Sequence, residues 1–500
     1  MKNISPQDSC AAALYPSHPV TLSHPDHLYV VARLHGLTPP RVENARVLEL
    51  GCGAGGNILP MAATIPGGRF VGIDLSERKI EMAKVAAAAS GLRNIDLLAG
   101  DAMVVLKNVD GLAFDYIVLH SLYSGVPVEV QTALLPFCRR LLSDLGILYV
   151  SYNTYPGWYG RGLVRAFMLR AGVGIDRPEE RVSVVRRALD DLIAAYPQAD
   201  DSFAKLLKEE KTRIDDMDNG LLMHDLFEVE NHPVYVDDFI VRAHEADLQY
   251  ISEGNMAASR EENFSPEARR QLSTVTDTVQ REQLIDFILN RSFRQTLLCR
   301  RGPAVQRHID PDSLSEFHMA SPLLPMGLDV DGAPGEAFFA TPDGGRIGIT
   351  IPNAITALNH LAMAWPDFLP ALDLAERIGD SAIVAKLAID LYPRNWLDLL
   401  PRQPLFTKMP GEFPMTTELA RWQVGQGETV TDLRHRNVSI TDKFTRQLIP
   451  FLDGQTDRQN LMAAASEFDR EPDRLAANDN PELELNAALF QLAERCLLVQ

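Results

Sequence analysis

Four glycines in six residues, Gly51, Gly53, Gly55 and Gly56, separate a short apolar run, 45–50, from a helix-period stretch that begins at Ile58. Few features restrict a fold as much. An apolar run ending in glycines is a buried parallel strand handing over to a helix, and glycines let the backbone approach whatever sits at that helix N-terminus. The pattern then repeats. Residues 69–75 predict a second strand, Ser76 an N-cap, and 77–90 an alanine-rich helix that Gly91 stops. Residues 94–100, 114–120 and 146–152 give three more strands, with a helix over 132–143 between the last two. Strands alternating with helices predict an α/β fold with a doubly wound, mostly parallel sheet and ligands at the carboxyl ends of its strands.

Composition narrows the class. At 46% hydrophobic and 23% charged residues the chain reads as ordinary globular protein. Forty-eight Lys and Arg against 67 Asp and Glu leave a charge of −19, which predicts no general nucleic-acid binding. The five cysteines are scattered without a CxxC pair, so neither a disulfide frame nor a zinc site is encoded. MKNISPQDSC has no apolar signal core, and no apolar run approaches the roughly 18 residues of a membrane helix. The expectation is a cytoplasmic protein without membrane insertion. Its histidines form no HxxxH or HxxE set, so a metal-dependent reaction has no support.

Glycine spacing alone leaves the ligand open. Gly51, Gly53 and Gly56 satisfy GxGxxG, the dinucleotide fingerprint, while Gly51, Gly53 and Gly55 satisfy GxGxG. Asp74, ending the second strand, suits ribose hydroxyls in either case. What decides lies outside the glycines. Glu49 stands two residues before Gly51, and Gly100-Asp101-Ala102 closes the third strand. An acidic group there accepts from an adenine amino group, and the next amide donates to the ring. Glu49-Leu-Gly-Cys-Gly-Ala-Gly-Gly-Asn57, with Asp74 and Asp101 in register, resembles motif I and its successors in class I S-adenosylmethionine-dependent methyltransferases. The resemblance implies a Rossmann-like methyltransferase sheet and S-adenosyl-L-methionine as cofactor. It also implies a cofactor site of Glu49, Gly51, Gly53, Gly55, Asn57, Asp74, Leu75, Asp101, Ala102 and His120, with Tyr15 in an N-terminal lid.

A narrower resemblance surrounds that core. It is carried by Tyr15-Pro-Ser-His-Pro19, Ser23-His-Pro-Asp26, His120-Ser-Leu-Tyr-Ser-Gly-Val-Pro127, Tyr149-Val-Ser-Tyr-Asn-Thr-Tyr-Pro-Gly-Trp158, His224-Asp-Leu-Phe-Glu-Val-Glu-Asn-His-Pro-Val-Tyr235 and Asp286–Cys299. Together these resemble bacterial methyltransferases with a methyltransferase regulatory domain, including protein-lysine methyltransferases of outer-membrane proteins. Ser121 and Gly125 depart from the family's His-Gly-x-Tyr-Ser-Trp-Val-Pro, which puts the substrate in doubt more than the chemistry. Methyl transfer from a sulfonium is an in-line displacement, so the protein mainly positions the acceptor and takes its proton. His120 and Tyr123 at the fourth strand's end, and Tyr152, Asn153 and Trp158 beyond the fifth, are the candidate catalytic residues.

Past residue 160 the period turns helical. The expected domains are 1–165, catalytic; 166–302, a helical middle domain; 303–403, a small α+β winged-helix-like module; and 404–500, a second such module. Residues 280–300 predict one helix with Phe287, Leu289 and Phe293 inward. EAFFATPDGGRIGITI (336–351) predicts a hairpin, and 401–414 a proline-rich linker. Residues 429–467 are weakly similar to small peptide-binding winged-helix chaperones. The favoured function is methylation of a protein or peptide side chain, lysine first, by a chain that admits a homodimer. The alternatives are methylation of a small metabolite or ribosomally made peptide, and cofactor sensing without turnover.

Overall fold

The computed structural model describes residues 17–107, 112–196, 201–217, 219, 220, 222, 230–260, 263–307, 309, 311–328, 335–468 and 481–499; Tyr15 and His224 lie outside them. Its centre is a seven-stranded sheet of β1 (Arg46–Leu50), β2 (Arg69–Asp74), β3 (Ile95–Ala99), β4 (Phe114–Leu119), β5 (Leu142–Asn153), β6 (Leu248–Glu253) and β7 (Phe293–Arg300). The order is β3-β2-β1-β4-β5-β7-β6. The first five strands pair in parallel. β7 runs antiparallel to both neighbours, Ile147 opposite Cys299 and Asn153 opposite Phe293. Strand order reverses between β1 and β4, and a ligand crevice opens at such a switch point.

The local signals behave as expected. Ser76 accepts from the Lys79 amide at 3.3 Å to start helix Glu77–Ala89, and Gly91, at φ +62°, closes it. Side chains alternate across the sheet. Val47, Tyr116, Val118, Ile147 and Tyr149 join the core under helix Pro25–Leu34. Leu48, Ile117, Leu148, Val150 and Tyr152 join the core of helices Val128–Leu141 and Val236–Glu245.

The middle of the chain departs from expectation. Residues 280–300 are helix Thr278–Leu289 followed by β7, with Asn290 at φ +47° as the left-handed stop. Phe287, Leu289 and Phe293 are exposed, and it is Arg294 that turns inward. β6 and β7 therefore complete the sheet begun by β1–β5, across the boundary expected at residue 165. The helical middle is narrower: helices Gly157–Ala171, Pro178–Ala194 and Ser202–Asp215 share a small core of their own.

The hairpin forms between Ala337–Ala340 and Arg346–Ile349, turning at Gly344 with φ +82°. Phe317, Leu358, Leu387 and Leu399 lie in one continuous core with Leu28, Val47 and Tyr149. Residues 401–414 lack helix but are fixed: Arg402 pairs with Asp26 at 2.9 Å and Phe406 is fully buried. The last unit has its own core, built on helices Lys443–Leu448, Arg458–Ala465 and Pro481–Glu494 and a hairpin of Thr429–Thr431 with Asn437–Ser439. Among the described residues no helix is long and apolar enough to cross a membrane.

Candidate active site

The loop after β1 folds back on the end of β2. Gly51 and Cys52 donate their amides to the Ile73 carbonyl at 2.8 and 3.1 Å, and Gly53 donates to Asp74 Oδ2 at 2.9 Å. Gly55 shows why the spacing is strict: at φ +85° a Cβ there would meet Leu59 at 2.8 Å. Ser17 closes the loop from above. Its hydroxyl accepts from the Gly56 amide at 2.7 Å, and a side chain on Gly56 would collide with its carbonyl. Asp74 Oδ1 also accepts from Ser76 N at 2.9 Å, leaving lone pairs on both carboxylate oxygens for further donors. Asp101 caps the short turn Ala102–Val105 through Met103 N at 2.8 Å and stays exposed beside Ala102. Leu75, which follows Asp74 in the chain, is 57% exposed.

Glu49 is the unusual group. It is buried at the base of the loop, and Asn57 Nδ2 donates to Oε1 at 2.7 Å while Oε2 has no partner among the described residues. Burial pushes its carboxyl up to about 7; the Asn57 amide opposes that rise and the Asp74 charge adds to it. A buried acceptor with one oxygen unsatisfied marks a place where a donor belongs.

At the neighbouring strand ends His120, from β4, meets β5 and β7. Its Nδ1 lies 3.2 Å from both Tyr149 Oη and Ser151 Oγ. Gln295 Nε2 donates to the same tyrosine oxygen at 2.8 Å, and Ser121 N donates to Ser151 Oγ at 2.8 Å. Phe293 stands edge-on to the His120 ring. Ser121 adopts φ +54°, a conformation natural to the glycine that the family resemblance expects there. Asn153, on the same face of β5 as Tyr149 and Ser151, donates to Asn231 Oδ1 at 2.8 Å.

The other candidates lie elsewhere. Tyr123 and Tyr152 are 0% and 1% exposed and pack around Phe239 in the opposite core, with ring centroids 5.2 and 4.2 Å away. Their hydroxyls meet Arg242 at 3.5 Å and Thr296 at 3.2 Å. The sequence reading names both as catalytic; strand alternation that turns Tyr149 and Ser151 toward His120 turns Tyr152 to the other face. Trp158 is buried at the start of helix Gly157–Ala171, where its indole nitrogen has no partner among the described residues.

The comparisons with known proteins agree with this arrangement. Residues 47–146 match the family described as methyltransferase domain, residues 218–300 the one described as predicted methyltransferase regulatory domain, and residues 412–494 the one described as PKMT, C-terminal winged helix domain. The structure of PKMT2 from Rickettsia typhi in complex with AdoHcy superimposes with a TM-score of 0.84 at 25% identity, covering 97% of this chain and 100% of that one. The chain belongs to the class I S-adenosylmethionine-dependent methyltransferases that carry a methyltransferase regulatory domain. Two uncharacterized proteins of Rickettsia prowazekii are 35% identical over 62% of this chain and 31% identical over 46% of it. Those matches span 56% and 91% of the relatives' own lengths.

The site of this methyltransferase fits its cofactor. When bound, S-adenosylmethionine supplies a methyl group on a sulfonium; the unsatisfied Glu49 oxygen suits its ammonium, the spare lone pairs of Asp74 its ribose, and the exposed Asp101 with the half-buried Ala102 its adenine. Sequence reasoning missed Ser17, Tyr149, Ser151 and Gln295. For Tyr149 and Ser151 a signal existed, since residues two apart on β5 share a face and Asn153 was already singled out.

Proposed function

We propose that the methyltransferase acts on protein side chains, lysine first. The observation that carries this reading is the likeness to PKMT2 along nearly the whole chain, winged-helix domain included. A lysine amine with an ordinary pKa of about 10.4 costs roughly 4–5 kcal/mol to neutralise at pH 7. In the cluster of His120, Tyr149 and Ser151 the imidazole is the group able to accept its proton, the two hydroxyls hold that ring by hydrogen bonds, and Phe293 gives an apolar edge for the side chain. Beyond it, Tyr155 stacks on Tyr159 and Tyr235 on Phe287, giving a polypeptide a partly exposed aromatic shelf. The test is intact-mass analysis of unfolded polypeptide incubated with the enzyme and S-adenosylmethionine. Mass gain by whole methyl groups, mapped to lysine, supports the reading; turnover on small amines with none on polypeptide would replace it.

A further inference from the structure

The winged-helix domain reaches the methyl-donor site through one side chain. The hairpin of Thr429–Thr431 and Asn437–Ser439 turns at Asp432–Arg436, where His435 is held at φ +60°. Its ring is buried, and its Nε2 lies 2.8 Å from Asn57 Oδ1. Asn57 Oδ1 also accepts from Val20 N at 2.8 Å, while Asn57 Nδ2 donates to Glu49 Oε1 at 2.7 Å. This fixes the amide. Turned over, Asn57 would oppose its NH2 to the Val20 amide and its oxygen to the Glu49 carboxylate, two repulsive contacts. Because Asn57 presents its oxygen to the hairpin, the His435 nitrogen facing it carries the proton and donates. The hairpin is held in place by the segment that covers the loop: Thr21 Oγ1 donates to the His435 carbonyl at 2.9 Å, and the His24 ring lies 4.9 Å from the His435 ring.

We infer that His435 is a positioning residue for the methyl-donor site, through which the winged-helix domain orients Glu49 by way of Asn57. The inference rests on the cofactor reading of the glycine loop. Its consequence is reciprocal: what displaces the hairpin weakens cofactor binding, and bound cofactor favours the docked hairpin. Burial keeps the His435 imidazole well below its ordinary pKa, with His24 opposing protonation and Asp26 favouring it, so the donor is the neutral ring. The groups facing Glu49 are Asp74, the Cys52 thiol and the Tyr149 hydroxyl.

Two variants of similar bulk test this. His435→Gln keeps an N–H at comparable reach; His435→Leu removes it. S-adenosylhomocysteine is titrated calorimetrically into the full chain between pH 6 and 8. His435→Leu is expected to weaken binding about tenfold at pH 8 and to move the midpoint of the pH dependence upward, because Glu49 loses the orienting amide. His435→Gln should stay within about threefold with the midpoint unmoved. Unaltered affinity in His435→Leu overturns the inference, as does equal loss in both variants, which would mean packing rather than the donor. Failure of the unsubstituted protein to bind S-adenosylhomocysteine would overturn the reading of the loop itself, a separate result.

Discussion

Two buried acidic regions flank the catalytic sheet, and they are finished differently. On β6, β7 and helix Thr278–Leu289, Arg294 is fully buried and meets Glu253 at 2.7 Å, Glu282 at 3.0 Å and Asp286 at 2.8 Å, while Arg291 reaches Asp286 at 3.3 Å. Burial alone would raise the Glu253 carboxyl, but Arg294 and Arg291 hold it below its ordinary range. At β1 Glu49 is as deeply buried, yet among the described residues its neighbours are the Asn57 amide and the Asp74 carboxylate rather than a cation, and one oxygen is unsatisfied. The first region is closed by the chain itself and serves architecture; the second is left for a ligand to close. Burial with a partner and burial without one are thus opposite signals.

The sharpest way to break that contrast is to open the closed network. Arg294→Met should leave three carboxylates without their guanidinium, a loss of about 3–5 kcal/mol for a buried pair deprived of one partner. Thermal unfolding should fall by roughly 3–5 °C, since the unfolding entropy of a chain this long is about 1 kcal/mol per degree. A shift of only a degree or two would show the network to be dispensable. Next in size, Asp74→Ala should weaken S-adenosylhomocysteine by about 1.5–3 kcal/mol, since hydrogen bonds to a charged acceptor are lost, and calorimetry reads this directly. Unchanged affinity would remove Asp74 from the ribose.

The open site carries a pH signature. Glu49 titrates at about 7 in the fold, above its ordinary value. A raised acid pKa favours the folded chain at low pH, and that contribution is lost as pH rises through about 7. Ligand binding runs the other way, because only the carboxylate holds an ammonium. Between pH 6 and 8 the affinity for S-adenosylhomocysteine should rise about tenfold, and Glu49→Gln should flatten the profile. A flat profile in the unsubstituted protein would show that Glu49 does not meet the ammonium.

How far the sequence disclosed this is instructive at particular residues. The β1 loop, Ser76, Gly91 and Asp74 were legible because each is a local device whose spacing is set by neighbours in the chain. β7 was not: Phe293–Arg300 follows a helix directly, and its pairing with β5 is a contact between residues 140 or more apart. For the same reason a fragment ending near Gly160 leaves β5 as a bare edge, because its partner β7 lies beyond the cut. The link from His435 to Asn57 spans 378 residues and had no local signal.

The smallest expected effect compares the two tyrosines that β5 sends to opposite faces. Tyr152 Oη meets Thr296 Oγ1, whose own hydroxyl donates to Glu253 at 2.7 Å, so it belongs to the closed network. Tyr149 Oη lies between Gln295 and His120 on the open side, and burial raises its phenol well above the ordinary value. It therefore acts as a neutral hydroxyl rather than as a phenolate base. Tyr152→Phe should cost about 0.5–1.5 kcal/mol of stability and leave turnover within about twofold. Tyr149→Phe should cost similar stability but lower kcat with little change in S-adenosylhomocysteine affinity, as for a group felt mainly in the transition state. Paired kinetics and melting curves decide it: equal kcat loss in both variants would erase the functional difference between the two faces, and a loss confined to Tyr152→Phe would reverse it.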